Sequence, residues 1–200
     1  MKIICSDLEG VFIPEIWVNV AEKTGIEELK LTTREISDYD VLMTKRLEVL
    51  DEHSLKLKDI TDIISTVEPL EGALETLNWI RERAQIIILS DTFEEFARPL
   101  MKKLNYPALL CHSLVVDSDG KITDYKLRQA NQKKQAIKAF KGLNYTTIAF
   151  GDSYNDTAMI KEADHGFFFR PPDNVIREFP DFDVIDTYDQ LKKKMNFLLY

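Results

Sequence analysis

Ile3-Ile4-Cys5-Ser6-Asp7-Leu8-Glu9-Gly10-Val11 is a short apolar run that ends abruptly in two acids and a glycine. A run of this length reads as a buried strand, and the polar residues after it form the loop at its carboxyl end. Similar runs recur at Ile86 to Leu89, Ala108 to Cys111, Thr147 to Phe150, Gly166 to Phe169 and Asp183 to Ile185, most of them alternating with helical patterns. Strands that are apolar throughout must be covered on both faces, so the alternation predicts an α/β fold, a mainly parallel sheet between helices. Between Leu114 and Leu127 the segment LVVDSDGKITDYKL alternates around Asp119-Gly120. This predicts a β-hairpin at a sheet edge.

Residues 14 to 69 break the alternation with three successive helical patterns and no strand, which predicts a helical cap inserted into the core. The expected division is a core of residues 1–13 and 70–200 and a cap of residues 14–69. Pro14 suits a first helical position and Gly25 a helix C-terminal cap; Ile60, Ile63, Ile64 and Val67 recur at helical spacing before Pro69.

The 200 residues are enough for one domain with an insertion, 44% hydrophobic and 30% charged, without low-complexity tracts. The net charge of -8 and the lack of a basic stretch with interleaved aromatics argue against nucleic acid. No apolar run approaches the roughly 18 residues that span a bilayer, and the N-terminus is no signal peptide, so a cytoplasmic protein without membrane partners is expected. Cys5 and Cys111 match no zinc or redox spacing and read as buried free thiols. His53, His112 and His165 lack ligand-like spacing and are assigned no function.

Three strand ends carry oxygen chemistry: Ser6-Asp7-Leu8-Glu9-Gly10, Ser90-Asp91-Thr92 and Gly151-Asp152-Ser153-Tyr154-Asn155-Asp156. Each alone is ordinary turn composition. Together they point to a site, because the carboxyl ends of parallel strands form one crevice. If Asp7, Glu9, Asp152 and Asp156 converge, their repulsion calls for a hard cation, and magnesium suits a site with oxygen ligands and no His or Cys. Lys133 or Lys134, opening the helix after the hairpin, supplies a further positive charge. A nucleotide-cofactor oxidoreductase is disfavoured, since no G-x-G-x-x-G follows the first strand.

The four motifs, DLEGV at Asp7, LSD ending in Ser90-Asp91, the following Lys and GDSYND at Asp152, resemble those of the haloacid dehalogenase superfamily. That resemblance covers most of the chain and implies a Rossmann-like core. The position of the cap and the G-D-x-x-N-D form of the last motif resemble the phosphoserine phosphatases. The whole chain, including PEIWVNVAEKTG and LEGA, looks most like their bifunctional phosphoserine phosphatase and homoserine phosphotransferase group.

The resemblance implies Asp7 as nucleophile and Glu9 as acid and base, with magnesium on Asp7, the backbone carbonyl of Glu9 and Asp152. It further implies Ser90 and the Asp91 N–H as phosphate ligands at the start of a helix, and Lys133 as the phosphate-side cation steered by Asp156. Asn155 is expected to touch substrate or order the metal loop. One departure is the Glu at position 9, where most superfamily phosphatases carry the shorter Asp.

On a helix read from Ser37 to Glu52, Tyr39, Leu42, Met43, Leu47, Val49 and Leu50 form an apolar stripe with Arg46 at its middle. Periodicity leaves two readings for Arg46, a structural pair or a binding group. Glu15 likewise reads as a favourable acid at a helix N-terminus. The resemblance assigns Arg46 to the carboxylate and Glu15 to the ammonium of a phosphorylated amino acid. The competing expectations are a phosphatase of a sugar phosphate, pyridoxal phosphate or an enol phosphate, and a silent phosphate-binding module. A homodimer is left open.

Overall fold

A computed structural model describes residues 1–32, 36 and 38–200. Strand β1 spans Lys2–Ser6, β2 Gln85–Phe93, β3 Ala108–Val116, β4 Ile122–Lys126, β5 Thr146–Gly151, β6 His165–Phe169 and β7 Val184–Ile185. Among the described residues they form one seven-stranded sheet in the order β4-β3-β2-β1-β5-β6-β7. Neighbours pair in parallel except at the β3–β4 edge. β1 sits at the centre and its residues Ile3 to Cys5 are buried, as an apolar strand covered on both faces requires.

Between β1 and β2 come α1 (Ile16–Thr24), α2 (Tyr39–Glu52), α3 (Leu57–Ser65) and α4 (Ala73–Arg81). The remaining helices are α5 (Glu94–Lys103), α6 (Gln132–Gly142), α7 (Thr157–Glu162), α8 (Asp173–Glu178) and α9 (Tyr188–Leu199). The Leu70 N–H donates to the Phe12 carbonyl at 2.9 Å, so the chain leaves and re-enters the sheet layer at adjacent points. Ile16, Val20, Ile60 and Ile64 are buried in the same apolar cluster as Ile4, Phe96 and Phe150, so α1 and α3 share one continuous core with the sheet.

Several local expectations shift. The run at Ala108 to Cys111 and the first arm of the hairpin are one continuous strand, β3, because the chain changes partner from β2 to β4 without leaving the sheet. β2 runs on to Phe93, so Ser90 and Asp91 lie within the strand and α5 starts only at Glu94. α1 begins at Ile16; Pro14 stands outside it, and Glu15 occupies the N-cap position without a side-chain capping bond. Gly25 does cap α1, in the left-handed region at φ 73°. α2 begins at Tyr39, and Ser37, read as its first residue, lies outside the described residues. Cys5 is buried but Cys111, on the sheet's outer part, is only half-buried. No helix among the described residues is long and apolar enough to cross a membrane.

Candidate active site

The loops after β1 and β5 and the end of β2 meet above the carboxyl edge of the sheet, joined by the first turn of α6. Asp7 follows β1 directly, and its own N–H donates to the Phe150 carbonyl of β5 at 3.1 Å. Asp7 Oδ1 accepts the Leu8 N–H at 2.7 Å and faces Lys133 Nζ at 2.9 Å. Lys133 Nζ also lies 2.8 Å from Asp156 Oδ1 and 3.6 Å from Asp91 Oδ2. One ammonium therefore serves three carboxylates, and Lys133 is 5% exposed. Lys134 points elsewhere, 3.9 Å from Glu162, which separates the two candidate lysines.

These surroundings dictate the charges. Burial alone would discharge Lys133, but Asp156, Asp7 and Asp91 outweigh it and hold its pKa well above the ordinary 10.5. Burial and then the Asp156 carboxylate push Asp7 well above the usual carboxylate range, with Lys133 opposing. Burial, Asp156 and Glu15 raise Asp152 to about 8. Asp91 goes the other way: burial would raise it, but Lys133, His112 and Gln132 together hold it below the usual range.

Carboxylate oxygens of Asp7, Asp152 and Asp156 come within 4.8 Å of one another. Asp156 has both oxygens engaged, Oδ1 by Lys133 and Oδ2 by the Ser153 N–H at 3.0 Å and hydroxyl at 3.1 Å. Asp152 Oδ1 is buried with no hydrogen-bond partner among the described residues. An orphaned buried carboxylate oxygen beside a second acid, with no soft ligand nearby, fits a hard divalent cation. Gly10 makes room for it: a Cβ there would stand 2.3 Å from Asp152 Oδ2, and its φ of +70° is one that side chains disfavour.

The Glu9 carboxylate is not part of this acid group and accepts the Ile16 N–H at 2.7 Å. Enclosure and the neighbouring Glu15 raise it from 4.5 to about 8. Only its backbone carbonyl is thus left for the metal role the resemblance implied.

Beyond Glu9 opens a cleft of about 540 Å³, lined among others by Glu15, Thr32, Arg46, Asp91, Asp152 and Asn155. Arg46 is 7% exposed. Its guanidinium lies 4.5 Å over the Trp17 ring and donates to the Leu31 carbonyl at 2.8 Å, while its Nε has no partner among the described residues. Burial lowers it to about 10. Glu15 is exposed at the rim. Ser90 is buried, and its Oγ accepts the Thr92 N–H at 3.3 Å, which leaves the hydroxyl proton to donate.

Three residues without an assigned role stand beside this group. Tyr39, read only as part of the apolar stripe, donates its hydroxyl to the Asp91 carbonyl at 3.1 Å, fastening α2 to the end of β2. His112, given no function above, faces Asp91 Oδ1 with Nε2 at 3.5 Å. Gln132 donates to the Ser90 carbonyl at 2.5 Å. A lone His in an apolar run and a Gln before a Lys carry no chemical pattern; adjacency to Lys133 was the one available hint for Gln132.

A parallel sheet with acids and a lysine gathered at the carboxyl ends of its central strands defines an α/β enzyme that handles an anionic group in a strand-end crevice. The chain belongs to the haloacid dehalogenase-like hydrolases, whose family model matches residues 1–164. It is 59% identical over 194 residues to a Pseudomonas syringae pv. tomato protein named phosphoserine phosphatase, covering 97% of this chain and 82% of that one. It is 57% identical over 194 residues to phosphoserine phosphatase ThrH of Pseudomonas aeruginosa, covering 97% and 95%. A crystal structure of an apo phosphoserine phosphatase superposes with a TM-score of 0.78 at 24% identity, over 98% of both chains, a likeness of fold.

Proposed function

We propose that this chain is a phosphoserine phosphatase that takes phosphate onto Asp7 and passes it to water or to the hydroxyl of homoserine. The observation that carries the proposal is the convergence of Asp7, Lys133 and the orphaned Asp152 oxygen, opening onto a cleft that offers Glu15 and Arg46. Two relatives above 50% identity that bear the phosphatase name support the substrate.

An Asp7 oxygen attacks phosphorus, the bond from phosphorus to the serine oxygen breaks, and Glu9 gives its proton to the departing alkoxide. A carboxyl raised to about 8 holds that proton at neutral pH, as a general acid must. Glu9 then takes a proton from the acceptor, whose oxygen attacks phosphorus and releases Asp7. Lys133 offsets charge on the transferring group, while Ser90 and the Asp91 N–H hold its oxygens. Magnesium on Asp7, Asp152 and the Glu9 carbonyl would supply further positive charge beside the phosphoryl group. Asn155, in the turn Tyr154–Asp156, borders the cleft and would contact substrate.

Arg46 would pair with the amino acid carboxylate and Glu15 with its ammonium. Homoserine keeps both charges and adds one methylene before the hydroxyl. Held in the cleft, that hydroxyl reaches effective concentrations on the order of 10⁵ M, so it competes with bulk water. Residues 14–69 act in this account as a cap that limits water. A cytoplasmic location and a homodimer belong to the same proposal, to be tested by fractionation and light scattering.

Phosphorus NMR of enzyme with magnesium, phosphoserine and excess homoserine tests the function. Both inorganic phosphate and phosphohomoserine are expected. Phosphate alone would remove the transferase half, and no phosphate at all would remove the phosphatase.

A further inference from the structure

Gln132 opens α6 immediately before Lys133 and is 2% exposed. Its amide Nε2 donates to the Ser90 carbonyl at 2.5 Å and to Asp91 Oδ1 at 3.1 Å. Its Oε1 accepts a fork from Arg128, Nε at 3.2 Å and Nη2 at 3.0 Å. With the acceptor end held by Arg128, the donor end faces the end of β2 and, at 3.3 Å, His112 Nε2 on β3. His112 completes the arrangement: its Nδ1 accepts the Arg128 N–H at 3.1 Å, which puts the neutral ring's proton on Nε2, the atom facing Asp91.

Asp91 would otherwise be a hazard. Its carboxylate lies 3.6 Å from Lys133, the cation meant for phosphate, and a carboxylate swung onto that ammonium would compete with the ligand. Donors on the far oxygen, Oδ1, hold it back. The bond to the Ser90 carbonyl likewise fixes the Ser90–Asp91 peptide, whose N–H the phosphatase reading assigns to phosphate.

We propose that Gln132, clamped by Arg128, is a positioning residue that holds the Ser90–Asp91 strand end for phosphate while limiting the Asp91 carboxylate to a loose 3.6 Å contact with Lys133. The inference rests on the phosphatase reading for its purpose, yet is tested by binding alone. Arg128 is exposed, so Arg128→Ala removes the clamp with little risk to the fold. Gln132→Glu keeps the acceptor for Arg128 and sets a carboxylate against Asp91 in place of the donor.

Calorimetry with magnesium present measures the affinity of native chain and variants for inorganic phosphate and, separately, for serine. Expected is a loss of phosphate affinity of about threefold to tenfold in Arg128→Ala and more than about tenfold in Gln132→Glu, partial recovery in Arg128→Lys, and unchanged serine affinity. Unchanged phosphate affinity in both Arg128→Ala and Gln132→Glu, or equal losses for phosphate and serine, overturns the inference. Turnover of an aryl phosphate by the native chain is scored apart. Its absence alongside the expected binding pattern would count against the phosphatase reading only.

Discussion

Lys133 Nζ and Asp156 Oδ1 form an ion pair at 2.8 Å with side-chain exposures of only 6% and 0%. Asp156 also anchors the loop after β5 through Ser153, so this pair ties α6 to the Asp152 loop. Removing Asp156 leaves Lys133 the Asp7 carboxylate at 2.9 Å but unpairs the half-buried Ser153 N–H, which costs about 1–3 kcal/mol. Asp156→Ala is therefore expected to lose about that much stability in denaturant unfolding, and Lys133→Ala to abolish turnover. Lys134→Ala, at a half-exposed site with a 3.9 Å contact, is expected to stay within about 0.5 kcal/mol and keep its activity. Activity loss in Lys134→Ala with none in Lys133→Ala would move the cation by one residue.

Gly10→Ala sets a methyl group where Asp152 Oδ2 now lies, 2.3 Å away, on backbone at φ +70°. Asp152 must move, and turnover is expected to fall by about a hundredfold or more, since displacements near 1 Å have that effect. Magnesium affinity, followed by calorimetry, should fall with it. Normal affinity in Gly10→Ala would mean that Asp152 does not hold the cation.

The pH dependence of the metal-free protein follows from Glu9 and Asp152. Their ordinary values of 4.5 and 3.8 rise to about 8 in the folded chain. Across that window the unfolded chain binds fewer protons than the folded one, so stability is greatest below about pH 4 as far as these groups go and declines as pH rises toward 8. Urea unfolding in chelator should show lower stability at pH 8 than at pH 5, and Glu9→Gln should shrink the difference. Magnesium should stabilise more at pH 8, where the acids give up their protons readily. Equal stability at both values would contradict the assigned surroundings of both acids.

The fold was legible because buried parallel strands leave a strong imprint: β1, β2, β5 and β6 were each visible as apolar runs. The junction of β3 with the hairpin was not, since a strand that exchanges a parallel for an antiparallel partner shows no break in its pattern. The acids after β1 and β5 announced themselves as charge following an apolar strand. Arg46 did so as a charge inside an apolar stripe. Gln132 and His112 were illegible because neutral groups acquire their meaning only from the partners that folding brings, here the Ser90 carbonyl and Asp91. Tyr39 was hidden by its own ring, which packs as apolar while its hydroxyl reaches Asp91.

Arg46→Ala separates recognition from chemistry. The guanidinium lines the cleft, and its Nε has no partner among the described residues. kcat/KM for phosphoserine is expected to fall by about a hundredfold or more, the loss of a charge-assisted pair, while an aryl phosphate lacking carboxylate loses little. Equal losses on both substrates would assign Arg46 to packing against Trp17.

The central claim is that phosphate passes through Asp7. Enzyme given magnesium and phosphoserine, quenched in acid during turnover and digested, is read by mass spectrometry for phosphorylated peptides. The account predicts a phosphoryl group labile to base and to hydroxylamine on the peptide containing Asp7, absent in Asp7→Asn, which should fold but not turn over. Turnover with the phosphoryl group on another residue, or magnesium-dependent activity surviving in Asp7→Asn, would contradict it.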